Sequence, residues 1–256
     1  MLRCATATAG LIVLMTSASL VANQASGPQS GSIQLSRFGD LLREHHIQLT
    51  KPALIRALKN PDPDVRFLAA MKLSEDKAAD AIPEVKEALA TEKVPRTRVN
   101  LAVALGLLGD PGGPDELKGL CADQNFPPEF RLYAVRYMFD LHVEKDTECL
   151  RAAEQIVQTV DADYHTAAYR IMALELLPQF RSLTPEESEK VFQLVVERLD
   201  DPEPTVRMQA SQSLVNLGNP GAAASYLEAA ATREKDESVR RAFEKDLAKL
   251  KGHAKD

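Results

Sequence analysis

The chain has 256 residues, enough for one domain or two small ones, and 45% of them are hydrophobic against 27% charged, so an ordinary buried core is within reach. A net charge of −6 argues against the basic face that nucleic acid requires, and no nucleic acid is expected as a partner. Aromatics make up 5% of the chain, tryptophan is absent, and β-branched runs of period two are missing, so the composition points to an all-α protein.

Residues 1–27 read MLRCATATAGLIVLMTSASLVANQASG. Arg3, an apolar stretch around Leu11–Met15 and small residues through Ala22 follow the layout of a secretory signal. The expected organisation is a signal peptide over 1–22, a flexible linker over 23–33, a helical array over 34–251 and a short tail over 252–256. The apolar core is too short for a stable anchor, so no membrane span is expected after cleavage, and the mature chain is expected in the periplasm or outside the cell. A lipoprotein signal places its cysteine after the apolar core, and Cys4 precedes it, so lipidation there is not expected. Cys121 and Cys149 remain, and the helices below put them at opposite ends of neighbours. They are expected as separate buried thiols, with a bridge as the alternative.

Self-similarity organises the rest. Arg66 in VRFLAAMKL, Arg98 in TRVNLAVAL, Arg131 in FRLYAVRYM, Arg207 in VRMQASQSL and Arg240 in VRRAFEKDL are spaced by 32, 33, 76 and 33 residues. The long step holds two units, the missing one lying at YHTAAYRIMALELL (164–177), where the arginine signature is lost. Each anchor segment follows a second amphipathic one: PALIRALK (52–59), AIPEVKEALA (81–90), PDELKGLC (114–121), ECLRAAEQIV (148–157), SEKVFQLVVERL (188–199) and AAASYLEAAA (222–231). Proline and small polar residues open these helices, and Gly109 and Gly218 are placed to end anchor helices. A period near 33 with paired helices predicts an α-solenoid of about six units.

The stretches DPDVRFLAAMKL (62–73), VALGLLGDPGG (103–113) with PDELKGL after it, and DPEPTVRMQASQSLVNLGNPGAA (201–223) resemble the HEAT-repeat family in its short, bilin-lyase-type form. The resemblance covers roughly residues 50–250 and implies a binding scaffold for a protein or peptide, with enzyme or enzyme-accessory activity of the lyase type as the alternative. An exported chain would be in the wrong place for cytoplasmic pigment assembly. HEAT-like hydroxylases with a di-iron centre carry repeated His-Glu dipeptides, and this chain has none. HEAT-like DNA glycosylases would need a basic groove and aromatics for a flipped base, and the negative charge and missing tryptophan speak against that. No HExxH, phosphate loop or G-x-S-x-G occurs, so no catalytic residue, metal ligand or cofactor site is assigned.

Two further readings concern the anchor helices. The arginines stand near helix starts, where the helix dipole disfavours a cation, so each needs an acid nearby. Arg66, Arg98, Arg131, Arg207 and Arg240 are expected to form a structural ladder, Arg66 bonding Asp62, Asp64 or an acid of the adjoining unit. One and five residues after the first three arginines stand Phe67 and Met71, Val99 and Val103, Leu132 and Arg136. Stacked, these six form a candidate apolar strip for a partner helix or peptide, unless a helix over 36–49 caps them or they are core. Five of the thirteen aromatics fall within 124–140, either as core filling or as a partner contact.

Overall fold

The computed structural model describes residues 37–143, 146–159 and 164–253. The expected signal peptide and linker lie outside these residues. Among them the chain is helical throughout, without a β-strand. A short helix α1 (Arg37–Glu44) leads into six helix pairs. The front members are α2 (Lys51–Ala57), α4 (Ile82–Thr91), α6 (Gly112–Ala122), α8 (Thr147–Gln158), α10 (Pro185–Glu197) and α12 (Pro220–Arg233). The anchor members are α3 (Pro63–Glu75), α5 (Pro95–Leu107), α7 (Pro128–Asp140), α9 (Tyr164–Leu176), α11 (Pro204–Asn216) and α13 (Glu237–His253). Each anchor helix packs on the next, so they form one continuous row with the front helices laid against it. The last helix runs to His253, two residues past the expected end of the array.

Local chemistry sets the boundaries. Proline stands in the first turn of α2, α3, α4, α5, α7, α10, α11 and α12, where a missing N–H costs nothing. Side-chain caps add to it: Asp62 accepts from the Asp64 N–H, and Thr184 with Glu187 closes a full capping box on α10. Four anchor-row or edge helices end in one motif. At α5 the Gly109 N–H bonds the Gly106 carbonyl and the Asp110 N–H bonds the Leu105 carbonyl, with Gly109 at φ 86°. At α1, α3 and α7 the same left-handed position is filled by His46 (φ 59°), Lys77 (φ 54°) and His142 (φ 61°). Two of the chain's five histidines therefore terminate helices.

The core lies between the rows. Val65, Ala69 and Leu73 of α3 and Val206, Ala210 and Leu214 of α11 are all at most 2% exposed. Residues of α1 to α5 form one apolar cluster and those from α5 onward a second, so α5 buries two faces. Gly113 in the first turn of α6 shows how closely the rows approach. A Cβ there would lie 2.3 Å from the Gly106 nitrogen and 2.5 Å from the Ala102 carbonyl. Larger side chains are excluded at that position.

The two cysteines depart from expectation. Cys121 and Cys149 are joined by a disulfide, with Cα atoms 4.9 Å apart. They stand at opposite ends of neighbouring front helices, Cys121 near the end of α6 and Cys149 near the start of α8. In fact the start of α8 lies against the last turn of α6, where Lys118 Nζ also reaches Asp146 at 3.1 Å. The two ends meet, and both cysteines are at most 1% exposed.

Candidate binding face and the inter-repeat ladder

The arginine at the fourth position of an anchor helix reaches forward into the next unit. Arg66 donates from Nε and Nη2 to Glu92 at 2.7 and 2.8 Å, and from Nη1 to the carbonyls of Asn60 and Pro61 at 2.7 and 3.0 Å. Glu92 closes α4, and its side chain is 1% exposed. Burial pushes the Glu92 carboxyl up, but the hydrogen bonds from Arg66 and from the Val94 and Lys93 N–H groups outweigh it and hold the group below the usual carboxylate range. The Arg66 guanidinium is raised by the same bond, against the cost of burial. Arg207 repeats the arrangement on Glu234 at 2.7 and 3.0 Å, with the carbonyls of Asp201 and Pro202 beneath Nη1. Glu234 is likewise held low by Arg207 and the Asp236 N–H against its burial. Each pair borders an open hollow, of ≈ 350 Å³ at Arg66 and ≈ 340 Å³ at Arg207, so the repeat reproduces even the empty space.

The other arginines vary this theme. Arg98 bonds Glu116 of α6 at 2.7 Å. Arg131, 7% exposed, finds no carboxylate within bonding distance among the described residues. Its Nε donates to the Cys121 carbonyl at 3.0 Å and its Nη2 to the Gln155 side chain at 3.1 Å. Burial lowers its pKa, with Asp123 opposing. Arg240, on the last described helix, has no hydrogen bond or ion pair through its side chain among the described residues. Its counterparts all bond to a unit that follows.

One ladder member is absent from the sequence reading. Arg170 sits one turn deeper in α9 than the other arginines sit in their helices. It is fully buried and donates from Nη2 to Asp201 at 3.0 Å. Its Nε lies 3.0 Å from the second Asp201 oxygen without the alignment of a hydrogen bond. The signal was in the sequence: the two twin stretches differ in their first residue, Asn60 against Asp201.

The six strip residues do not line an exposed groove. Val99, Val103 and Leu132 are 1%, 4% and 0% exposed and belong to the second core cluster with Ala102, Ala134 and Val135. Fully buried alanines along the row, among them Ala69, Ala70, Ala104 and Ala134, let the anchor helices approach until these positions close into the seam. Phe67 is half-buried, edge-on to Phe38 of α1 with centroids 6.1 Å apart, and the Arg96 guanidinium lies 6.0 Å from its ring. Met71 packs against both core clusters.

Arg136 is the exception, and it has company. It is half-buried on α7 near Tyr133, Tyr137 and Asp140, with Arg96 of α5 and Glu175 of α9 close by. Burial raises the Tyr137 phenol, Asp140 adds to this, and Arg136 and Arg96 oppose it. Burial also raises the Glu175 carboxyl, opposed by Arg136. None of Tyr133, Arg136, Tyr137 and Glu175 makes a side-chain hydrogen bond or ion pair among the described residues. Elsewhere along 124–140, Phe126, Phe130 and Tyr133 stack edge to face, and Phe139 packs on Phe180 at 4.9 Å. The local aromatic excess therefore fills the core at one edge and furnishes an unspent polar face at the other.

A family model for HEAT repeats matches residues 51–138 and 151–248. The chain belongs to the HEAT-repeat family. No curated protein matches the sequence. Among solved structures, this HEAT-repeat protein is similar to the complex of CpcE and CpcF of phycocyanin lyase from Nostoc sp. PCC7120, at 21% identity over 78% of this chain and 76% of that one, with a TM-score of 0.46. Human deoxyhypusine hydroxylase in complex with glycerol shows 17% identity over 79% and 74%, with a TM-score of 0.40. A designed armadillo repeat protein in complex with a (KR)4 peptide shows 17% identity over 78% and 98%, with a TM-score of 0.43. No helix of the described residues is long and apolar enough to cross a membrane.

Proposed function

We propose that this HEAT-repeat protein is an exported, non-catalytic scaffold that binds a protein or peptide across α7 and the anchor helices beside it. The observation that carries the reading is the contrast between arginines. Arg66, Arg98, Arg131, Arg170 and Arg207 are bonded across repeats, whereas Arg136, half-buried on α7 and electrostatically coupled to Tyr137 and Glu175, makes no side-chain hydrogen bond or ion pair among the described residues. Tyrosine and arginine are the side chains that most often dominate a protein interface, because they bring area and polarity at modest entropic cost. The disulfide supports an oxidising compartment, and with it the export expected from residues 1–22.

Two measurements test this reading. The N-terminus of the protein recovered from the extracytoplasmic fraction is expected near residue 23, and an intact Met1 in the cytoplasm overturns export. Cross-linking of the mature chain is expected to give a stoichiometric polypeptide partner that is lost in Arg136→Ala with Tyr137→Ala, while the melting temperature holds. Partner binding that survives this double change, or a tightly bound chromophore in place of a polypeptide, overturns the binding reading.

A further inference from the structure

Five junctions join the six helix pairs, and four are closed by a guanidinium on a carboxylate: Arg66 on Glu92, Arg98 on Glu116, Arg170 on Asp201, and Arg207 on Glu234. The junction between the third and fourth pairs is different. Arg131 is as buried as any partnered ladder arginine except Arg170, yet among the described residues it meets only a carbonyl and the neutral amide of Gln155. A carboxylate does cross there, the buried Asp146, but it is met by the half-exposed ammonium of Lys118 at 3.1 Å and not by the forked guanidinium of an anchor helix. The repeat match also breaks between 138 and 151, across this junction. The disulfide lies at the same place, tying α6 of the third pair to α8 of the fourth. Cys121 is doubly involved, because its carbonyl is the one that accepts from Arg131.

We propose that the Cys121–Cys149 disulfide takes the place of the guanidinium–carboxylate pair as the lock of this junction, so that the array is rigid when oxidised and opens first here when reduced. The chemistry is thiol–disulfide exchange. Closing the bond takes two thiols, passes two electrons and two protons to a partner disulfide, and releases that partner as two thiols. Opening runs the same exchange backwards with a dithiol reductant. Both sulfurs are buried, so a reductant reaches them only when α6 and α8 separate. An array that binds along its anchor row then has one fixed geometry only where disulfides persist.

Hydrogen exchange of the full chain tests this directly. Cys121→Ala with Cys149→Ala keeps small apolar groups in the core. The amides of α6, α7 and α8 in this variant are expected to exchange faster on the order of a hundredfold, with α11 to α13 unchanged. Adding Gln155→Glu to the double variant supplies the absent carboxylate. It is expected to slow that exchange again by at least about fivefold, while doing little in the disulfide-bonded protein. Uniform acceleration along the whole chain, or an equal effect of Gln155→Glu in both backgrounds, overturns the proposal. Should the double variant not fold, the wild-type protein under dithiothreitol carries the test. Alkylation of Cys121 and Cys149 is expected to proceed at a rate insensitive to low urea, as for a local opening. A rate that rises steeply with urea from the start means that only global unfolding exposes the pair, and the lock is then not local.

Discussion

At 60–66 the chain reads NPDPDVR and at 201–207 it reads DPEPTVR, and the two stretches build the same turn and the same arginine grip. In each, the first residue's side-chain oxygen caps the third residue's N–H, at 2.9 Å from Asn60 and 3.0 Å from Asp201. In each, the first two carbonyls accept from the arginine's Nη1, and the other guanidinium nitrogens grip a glutamate that ends the next front helix. The chemical difference at the first residue, an amide against a carboxylate, follows from what lies behind. Asp201 receives Arg170 from the preceding anchor helix, whereas no buried arginine of a preceding helix meets Asn60 among the described residues. A carboxylate is tolerated at 3% exposure only where a cation comes with it. The lesson is that the repeat encodes the turn, and the neighbour decides the charge.

The sharpest way to break the comparison is to make the second stretch read like the first. Asp201→Asn keeps the cap but orphans a fully buried Arg170, and is expected to cost about 3–5 kcal/mol in urea denaturation. Arg170→Leu in the same chain should recover most of that loss, and a double variant no more stable than Asp201→Asn alone would refute the pairing argument. Next in size, Arg66→Ala and Arg207→Ala are each expected to cost about 1–3 kcal/mol, because each leaves a buried glutamate without its guanidinium partner. Markedly unequal losses would show that the two ladders are alike in geometry only.

Acid should dissolve both ladders together. The folded pKa values of Glu92 and Glu234 lie below their unfolded ones. Their contribution is therefore complete above the unfolded value of about 4.3 and is lost as pH falls through the folded values. The melting temperature is expected to be level from neutral pH down to about 5 and to drop below that, less steeply in Glu92→Gln. The smallest effect concerns the helix ends. Lys77 and Gly218 occupy the same place in the two units at φ 54° and 80°, and Lys77→Gly should stabilise by up to about 1 kcal/mol, read as a small rise in melting temperature.

The same distinction runs through the binding face. A period-33 arginine marks where each anchor helix begins, but it carries no information on how closely successive helices approach. Val99 and Val103 follow their arginine at the same intervals as Phe67 and Met71, and yet they close into the core. Buried alanines on the neighbouring turns decide that distance. Arg136 shares the strip's spacing with the half-buried Phe67 and Met71, but it is the charged member of the strip, on the same helix as Tyr133 and Tyr137.

By itself, the sequence determined the helical class, the pairing of helices, their starts at proline and their ends at Gly109 and Gly218. All of these are local: φ, capping and the apolar period act within a few residues. Tertiary structure alone decided which acid each arginine meets, that Arg170 is a ladder member, that Cys121 and Cys149 touch, and which residues of the anchor row reach the surface. Those outcomes depend on the offset and spacing between helices some 30 residues apart, such as Arg170 and Asp201 at a separation of 31 or the two cysteines at 28. Close packing fixes such distances only when the whole row is assembled.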